Sequence, residues 1–426
     1  MKTQTRFWLA ASLLAMGLVA FPEPAASLPQ LQVPGSTAAA TKGYQRTAAD
    51  MDRAMQYLRT YLGRVAPMLK EGARVVLVTD GSFDPLVIDM VRQIAWDAKA
   101  TLDVIQLQGP GAEMGSAQLQ LDLWTMDPHK MWPDWVWNAL EGSQVVLSAY
   151  GPDAHDLTAE GRKWFADRGI DRPQFWHATF ETLLADGLEQ GIGYPPEILA
   201  ALGKAEQELL KGAKQIRVTD PNGTDFTFTT ANAGGTASSY KDARGQVVVY
   251  AMHGGLIPRT TLRLEAGRVV SVEGEGNLAD QIRWLLANGK DLQWPGFPGP
   301  GSAYLVEVDL PRLHPKIARP PWQGLHGAAK YFAFSKDYKR AGVLTVGFGT
   351  PTGTSQAVAF ANSSGVQIQH LDTHLYHATV TVDGRVISKD GRPIVLDDPE
   401  IRKIAAKYGD PDQLLRIDWA PALDGR

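Results

Sequence analysis

A chain of 426 residues with 44% apolar residues is long enough for two cores, because single hydrophobic cores stop growing at roughly 250–300 residues. A formal net charge of −4 gives no basic excess of the kind nucleic acid demands. Cysteine is absent, which removes disulfides, thiol nucleophiles and zinc–thiolate sites together.

In chain order, Lys2 and Arg6 precede an apolar run over residues 7–20, and Ala25-Ala26-Ser27 supplies small residues for cleavage. This is the pattern of a bacterial secretory signal over residues 1–27, ending before Leu28. The run is too short to span a bilayer, and no later stretch approaches ~20 apolar residues, so the mature protein is expected to be periplasmic or secreted and free of membrane. An uncleaved N-terminal anchor is the alternative. Residues 28–47, rich in Pro, Ala, Gly and Ser, read as a flexible leader.

From residue 48 the pattern is α/β. Met51, Met55, Leu58, Leu62 and Val65 recur at helical spacing. Residues 73–79 read as a buried strand, Asp84-Pro85 caps a helix running to about Ala98, and residues 102–106 return as a second strand. A helix near residues 135–140 and a strand over 144–148 repeat the unit, which predicts a mainly parallel sheet. The first strand–helix turn, Thr79-Asp80-Gly81-Ser82-Phe83-Asp84, lacks the glycine fingerprint of a dinucleotide site, and its acidic residues repel a pyrophosphate. Trp124, Trp132, Trp135 and Trp137 crowd around Pro133; a core or interface cluster is expected there, an aromatic substrate shelf being the other reading. A helix over about 197–210 leads to a junction near Gly212.

Beyond Gly212 the chain becomes β-dominated. Residues 215–219, 225–230, 245–252, 260–265, 268–273, 302–310, 342–347 and 370–382 alternate or carry β-branched residues, with tight turns at Asn222-Gly223, Ala266-Gly267 and Asp383-Gly384. A closing helix has Asp398 as N-cap, Pro399 at its first position and Gly409 as its stop. The expected architecture is therefore an α/β N-terminal domain with a mainly parallel sheet (residues 48–212) and a β-rich α+β C-terminal metal-binding domain (residues 213–426).

The densest chemistry lies in His370-Leu371-Asp372-Thr373-His374-Leu375-Tyr376-His377, which holds three of the nine histidines. On a strand, His370, Asp372, His374 and Tyr376 share one face. His370 and Asp372 are then ~7 Å apart at the backbone and can hold one ion, whereas His370 and His374 are ~13 Å apart. His374 thus belongs to a second ion, to the surroundings of the first, or to the substrate. A polar strand with surface histidines is the plainer alternative. No G-x-S-x-G elbow and no H-E-x-x-H helix occurs, so a common serine hydrolase and an ordinary zincin are excluded. Glu307 lies within the apolar Tyr304-Leu305-Val306-Glu307-Val308, where an unpaired carboxylate is costly; it is either a metal ligand or an outward-facing strand residue. Glu273, beside glycines at a strand end, and His253, before Gly254-Gly255, are candidates for moving protons, with a solvated turn and a structural histidine as the alternatives. His326, Tyr331 and Tyr376 are candidate substrate contacts.

Several of these stretches resemble the M29 metallopeptidases, the aminopeptidase T and aminopeptidase S group, and their relative 2,5-dihydroxypyridine 5,6-dioxygenase. Lys70-Glu71-Gly72-Ala73-Arg74-Val75-Val76-Leu77-Val78 resembles the opening strand of that family, and Tyr194-Pro195 through Gly223-Thr224-Asp225 its linker helix and the hairpin that starts its catalytic domain. His370-Leu371-Asp372 followed by Asp383-Gly384 is similar to the family's His-x-Asp ligand pair and following turn, and residues 304–308 to the strand carrying a glutamate ligand. Two features depart from the pattern. Gly245-Gln246-Val247 stands where the family has Gly-Glu-Val, and the Asp-Glu-Asn motif with its following His and Tyr is not recognisable, His326 and Tyr331 being loose substitutes.

The resemblance implies a metal-dependent hydrolase that releases N-terminal residues or cleaves a related amide, using zinc, cobalt or manganese, with a small peptide or small molecule as substrate and a homodimer as its assembly. An Fe(II)-dependent ring-cleaving dioxygenase and a non-catalytic binding protein are the other implied classes. The ligands carried over are Glu307, His370 and Asp372, with His374 beside them.

Overall fold

The computed structural model describes residues 46–107, 134–148, 159–173, 175–229, 240–252, 255–297, 299–311, 313–317, 327–351, 359–360, 363–364 and 370–417, without the side chains of 159–162. The expected signal and most of the leader, together with His253, His326, Trp124 and Trp132, lie outside the described residues.

Three parallel strands, β1 (Arg74–Asp80), β2 (Thr101–Leu107) and β3 (Val145–Ser148), form a sheet in the order β2-β1-β3. The central strand is apolar on both faces because both are covered. Val75 and Leu77 pack with the helices Ala48–Val65, Pro85–Asp97 and Phe180–Glu189, while Val76 and Val78 pack with Val136, Trp137, Leu140 and Phe165. The helix starts follow the caps written in the sequence: Asp84 Oδ1 accepts from Leu86 N at 3.0 Å ahead of Pro85. Of the expected tryptophan cluster, Trp137 is buried against Trp164 and Phe165, whereas Trp135 is 54% exposed.

The remaining strands are antiparallel: β4 (Gln215–Thr219), β5 (Asp225–Thr229), β6 (Arg244–Met252), β7 (Gly255–Glu265), β8 (Arg268–Gly274), β9 (Tyr304–Asp309), β10 (Leu344–Gly349), β11 (His370–Leu375), β12 (Thr379–Val382), β13 (Arg385–Lys389) and β14 (Arg392–Pro393). Strands β6 to β11 pair in sequence, and Thr373 of β11 also pairs with Met252 of β6, which closes them into a six-stranded ring. The first half of β6 instead pairs with β5, so the ring continues as β5-β4-β12-β13-β14. One apolar cluster fills the side formed by Val247, Val249, Leu262, Leu264, Leu305, Val346, Phe348, Leu371 and Leu375 and is covered by the helix Asn277–Asn288.

Three features differ from the sequence expectation. The segment 370–382 is two strands and not one: β11 belongs to the ring and β12 pairs with β4, because the chain leaves the ladder at Tyr376. Gly391 makes that crossing possible, since a side chain there would meet the Tyr376 carbonyl at 2.1 Å. The helices Phe180–Glu189, Asn277–Asn288 and Gly327–Ser335 were not expected, and the closing helix stops at Ala405, ahead of Gly409.

The helix Gly327–Ser335 sends Ala328, Tyr331 and Phe332 into the core of the parallel sheet. Its first turn is held by the acidic strand–helix turn: Asp80 Oδ2 accepts from Ala328 N at 3.1 Å and Ser82 Oγ from Ala329 N at 3.0 Å. A carboxylate there satisfies otherwise orphaned N–H groups and complements the helix dipole.

Candidate metal centre

Strand β10 lies between β9 and β11, with Gly347 opposite Glu307 on one side and opposite Asp372 on the other. Simple alternation puts Glu307 on the same face as Leu305, inside the apolar cluster. A β-bulge prevents this. Phe348 pairs with Leu305 while Gly347 pairs with Glu307, so Val306 is the extra residue and Glu307 turns to the opposite face. Bulges re-aim side chains in this way, and here the result removes a carboxylate from a hydrocarbon core.

On that face three donor groups converge. His370 Nε2 lies 2.8 Å from Asp372 Oδ1 and 3.0 Å from Glu307 Oε2. One donor atom from each residue falls within 4.8 Å of the others, and no other such group occurs among the described residues. The side chains of His370 and Asp372 are 16% and 14% exposed and that of Glu307 is 35% exposed, so the cluster is shielded but reachable. Burial alone opposes charge on His370, yet the Asp372 and Glu307 carboxylates outweigh it and hold the imidazole well above the ordinary histidine range.

The donor set fits a divalent cation. Two donors bound at ~2.1 Å on adjacent corners of an octahedron are about 3.0 Å apart, close to both separations here. The space between the donors exists because residue 347 is glycine: a Cβ there would lie 2.8 Å from Glu307 Cβ, 3.0 Å from His370 Nε2 and 3.1 Å from Asp372 Oδ1. Sequence reading passed over Gly347. A glycine inside a strand whose neighbours are apolar was the available signal, since it marks a close approach.

The other candidates are placed elsewhere. His374 is fully buried, with Nδ1 3.2 Å from Thr345 Oγ1 and its ring 6.1 Å from that of Tyr376, outside the converging group. Tyr376 is buried and donates to Asp337 Oδ2 at 2.6 Å, and Tyr331 is buried edge-on against Phe332; neither presents a surface for substrate. Glu273 is exposed on β8 and lies far from the cluster. Arg268 pairs with Tyr304, so along the antiparallel ladder Glu273 and Glu307 diverge by eight positions, or ~26 Å. Gln246 sits six residues down β6 from the Met252–Thr373 pair, ~20 Å of strand, with its amide donating to Gly223 O at 2.7 Å. It is therefore not a lost ligand of this cluster.

No family model and no curated protein matches the sequence. Among solved structures, the chain is similar to a 2,5-dihydroxypyridine dioxygenase from Pseudomonas putida at 16% identity and a TM-score of 0.42, over 82% of this chain and 99% of that one. It is also similar to AmpT from Thermus thermophilus at 16% identity and a TM-score of 0.39, over 81% of this chain and all of that one.

Proposed function

We propose that this protein binds one divalent metal ion through Glu307, His370 and Asp372 and uses it to hydrolyse an N-terminal peptide bond or a related amide. The observation that carries the reading is the convergence of an imidazole and two carboxylates above a glycine on a shielded face. When bound there, a divalent cation polarises a carbonyl oxygen and lowers the pKa of water. The chain supplies three donors and leaves coordination positions for substrate and water. Without an ion, His370 Nε2 bridges the two carboxylates, and the backbone pairing of β9, β10 and β11 fixes the spacing of the three side chains. The likeness of residues 304–308 and 370–372 to the M29 pattern supports the same reading, and the N-terminal pattern supports export to the periplasm or beyond.

Fe(II)-dependent ring cleavage of a hydroxylated aromatic is the second reading, implied by the resemblance of residues 304–308 and 370–372, although one histidine with two carboxylates departs from the two-histidine, one-carboxylate set common in such enzymes. Anaerobic purification followed by elemental analysis separates the two. Zinc, cobalt or manganese, with release of amino acids from small peptides, supports the hydrolase; iron, with dioxygen uptake on a dihydroxylated ring, supports the oxygenase. Protein without metal that takes none up on replenishment overturns the proposal.

A further inference from the structure

Glu307 and His370 sit on strands that are not neighbours. Each strand of a sheet is ~4.8 Å from the next, so β9 and β11 are ~10 Å apart at the backbone with β10 between them. The two side chains nevertheless meet at 3.0 Å, by reaching over β10 at the level of Gly347. Gly347 is not in the left-handed region, so its backbone is open to any residue and glycine is needed there only for space. The atoms a side chain would strike are the tips of His370 and Asp372 and the Cβ of Glu307, none of them backbone. The His370 and Asp372 tips can swing away, whereas Glu307 Cβ moves only with its own backbone, so added bulk pushes the donors apart and shifts β9 against β10. Val346 and Phe348, on the other face, keep β10 anchored in the apolar cluster.

We infer that Gly347 is a positioning residue of this centre: the empty volume above its Cα lets donors on β9 and β11 close over β10, and the size of residue 347 decides whether they hold an ion. The inference rests on the metal reading given above, but it also makes a statement about the metal-free protein, namely that the Glu307–His370 contact requires glycine at 347.

The test compares wild type with Gly347→Ala and Gly347→Val in the full chain after chelation. Mn(II) and Zn(II) titrations should give an affinity about tenfold weaker for Gly347→Ala and no measurable binding for Gly347→Val, the range expected when donors lose their orientation. Circular dichroism and urea unfolding should show both variants folded. A folded Gly347→Val protein that binds either ion as tightly as wild type overturns the inference while leaving the metal reading intact. If wild type itself takes up neither ion, the metal reading fails, and a crystal structure of chelated Gly347→Val still decides the role of the glycine. The 3.0 Å contact between His370 and Glu307 should be broken in it, and its persistence overturns the inference. Should Gly347→Val fail to fold, Gly347→Ala answers both questions by the same measurements.

Discussion

Asp186 is buried where the two halves of the sequence meet, and removing its carboxylate should be among the most damaging single changes in the molecule. It accepts from Lys336 Nζ at 2.9 Å, lies 2.9 Å from Lys339 Nζ and 3.1 Å from His177 Nδ1, and accepts from Tyr57 Oη at 3.4 Å. Asp186, Lys336, His177 and Tyr57 are each 3% exposed. Burial pushes the Asp186 carboxyl up, but Lys336, the His177 hydrogen bond and Lys339 outweigh it and hold the group well below the ordinary carboxylate range. In Asp186→Ala, Lys339 keeps Glu189 while Lys336 loses its carboxylate. Breaking a buried pair by deleting one partner costs about 3–5 kcal/mol, because the remaining charge is left desolvated. Urea unfolding of the full chain at neutral pH should show a loss of that size, and Lys336→Met in the same background should restore most of it. The pH dependence follows from the direction of each shift. A depressed Asp186 contributes stability above the ordinary carboxylate pKa of about 3.9 that is lost as pH falls toward its lowered value, so this acid-side loss should vanish in Asp186→Ala. Burial lowers Lys336 against the pull of Asp186; without that pull Lys336 discharges more readily, and the deficit of the variant should shrink as pH rises above neutral. A loss below about 1 kcal/mol, or no recovery with Lys336→Met, refutes the reasoning.

His370→Ala and Asp372→Ala should each abolish metal binding in a protein that still unfolds cooperatively, since both side chains are on the face away from the apolar cluster. Full occupancy in both variants by elemental analysis would reject the ligand assignment. Gln246→Glu should leave the metal stoichiometry unchanged, because its amide faces Gly223 O and the cluster is ~20 Å of strand away; a second equivalent of bound ion would contradict this placement. Protein recovered from the periplasm should begin near Leu28, and material still starting at Met1 would count against the export signal.

Much of the α/β half was legible because local rules agree with tertiary structure there: the cap at Asp84, apolar strands at Val75–Val78 and Val145–Leu147, and helical spacing from Met51 to Leu62. The strands of the second half were legible for the same reason, down to the Ala266-Gly267 and Asp383-Gly384 turns, whose first residues take the left-handed conformation. The pair His370 and Asp372 was visible through period-two alternation alone. Glu307 could be suspected only from the cost of a carboxylate in an apolar strand, since the bulge at Val306 that turns it toward the pair is a property of the ladder and leaves no mark in alternation. Gln246 and Glu273 were misplaced for a related reason: motif likeness and strand-end position carry no register, and the ladder places both far from the cluster. Tyr376 was a substrate candidate through its shared strand face and Tyr331 through a loose motif likeness, but burial commits both to packing, Tyr376 with a hydrogen bond to Asp337 and Tyr331 against Phe332. The break after Tyr376 depends on Gly391, fifteen residues on, and nothing at Tyr376 itself marks it.

The central claim is that Glu307, His370 and Asp372 form one metal site, and anomalous X-ray diffraction from crystals grown with Mn(II) or Zn(II) tests it directly. The account predicts a single strong peak above Gly347, ~2.0–2.2 Å from a carboxylate oxygen of Glu307, from His370 Nε2 and from a carboxylate oxygen of Asp372. A peak at other residues, or none in crystals that hold the ion in solution at saturating concentration, would contradict it.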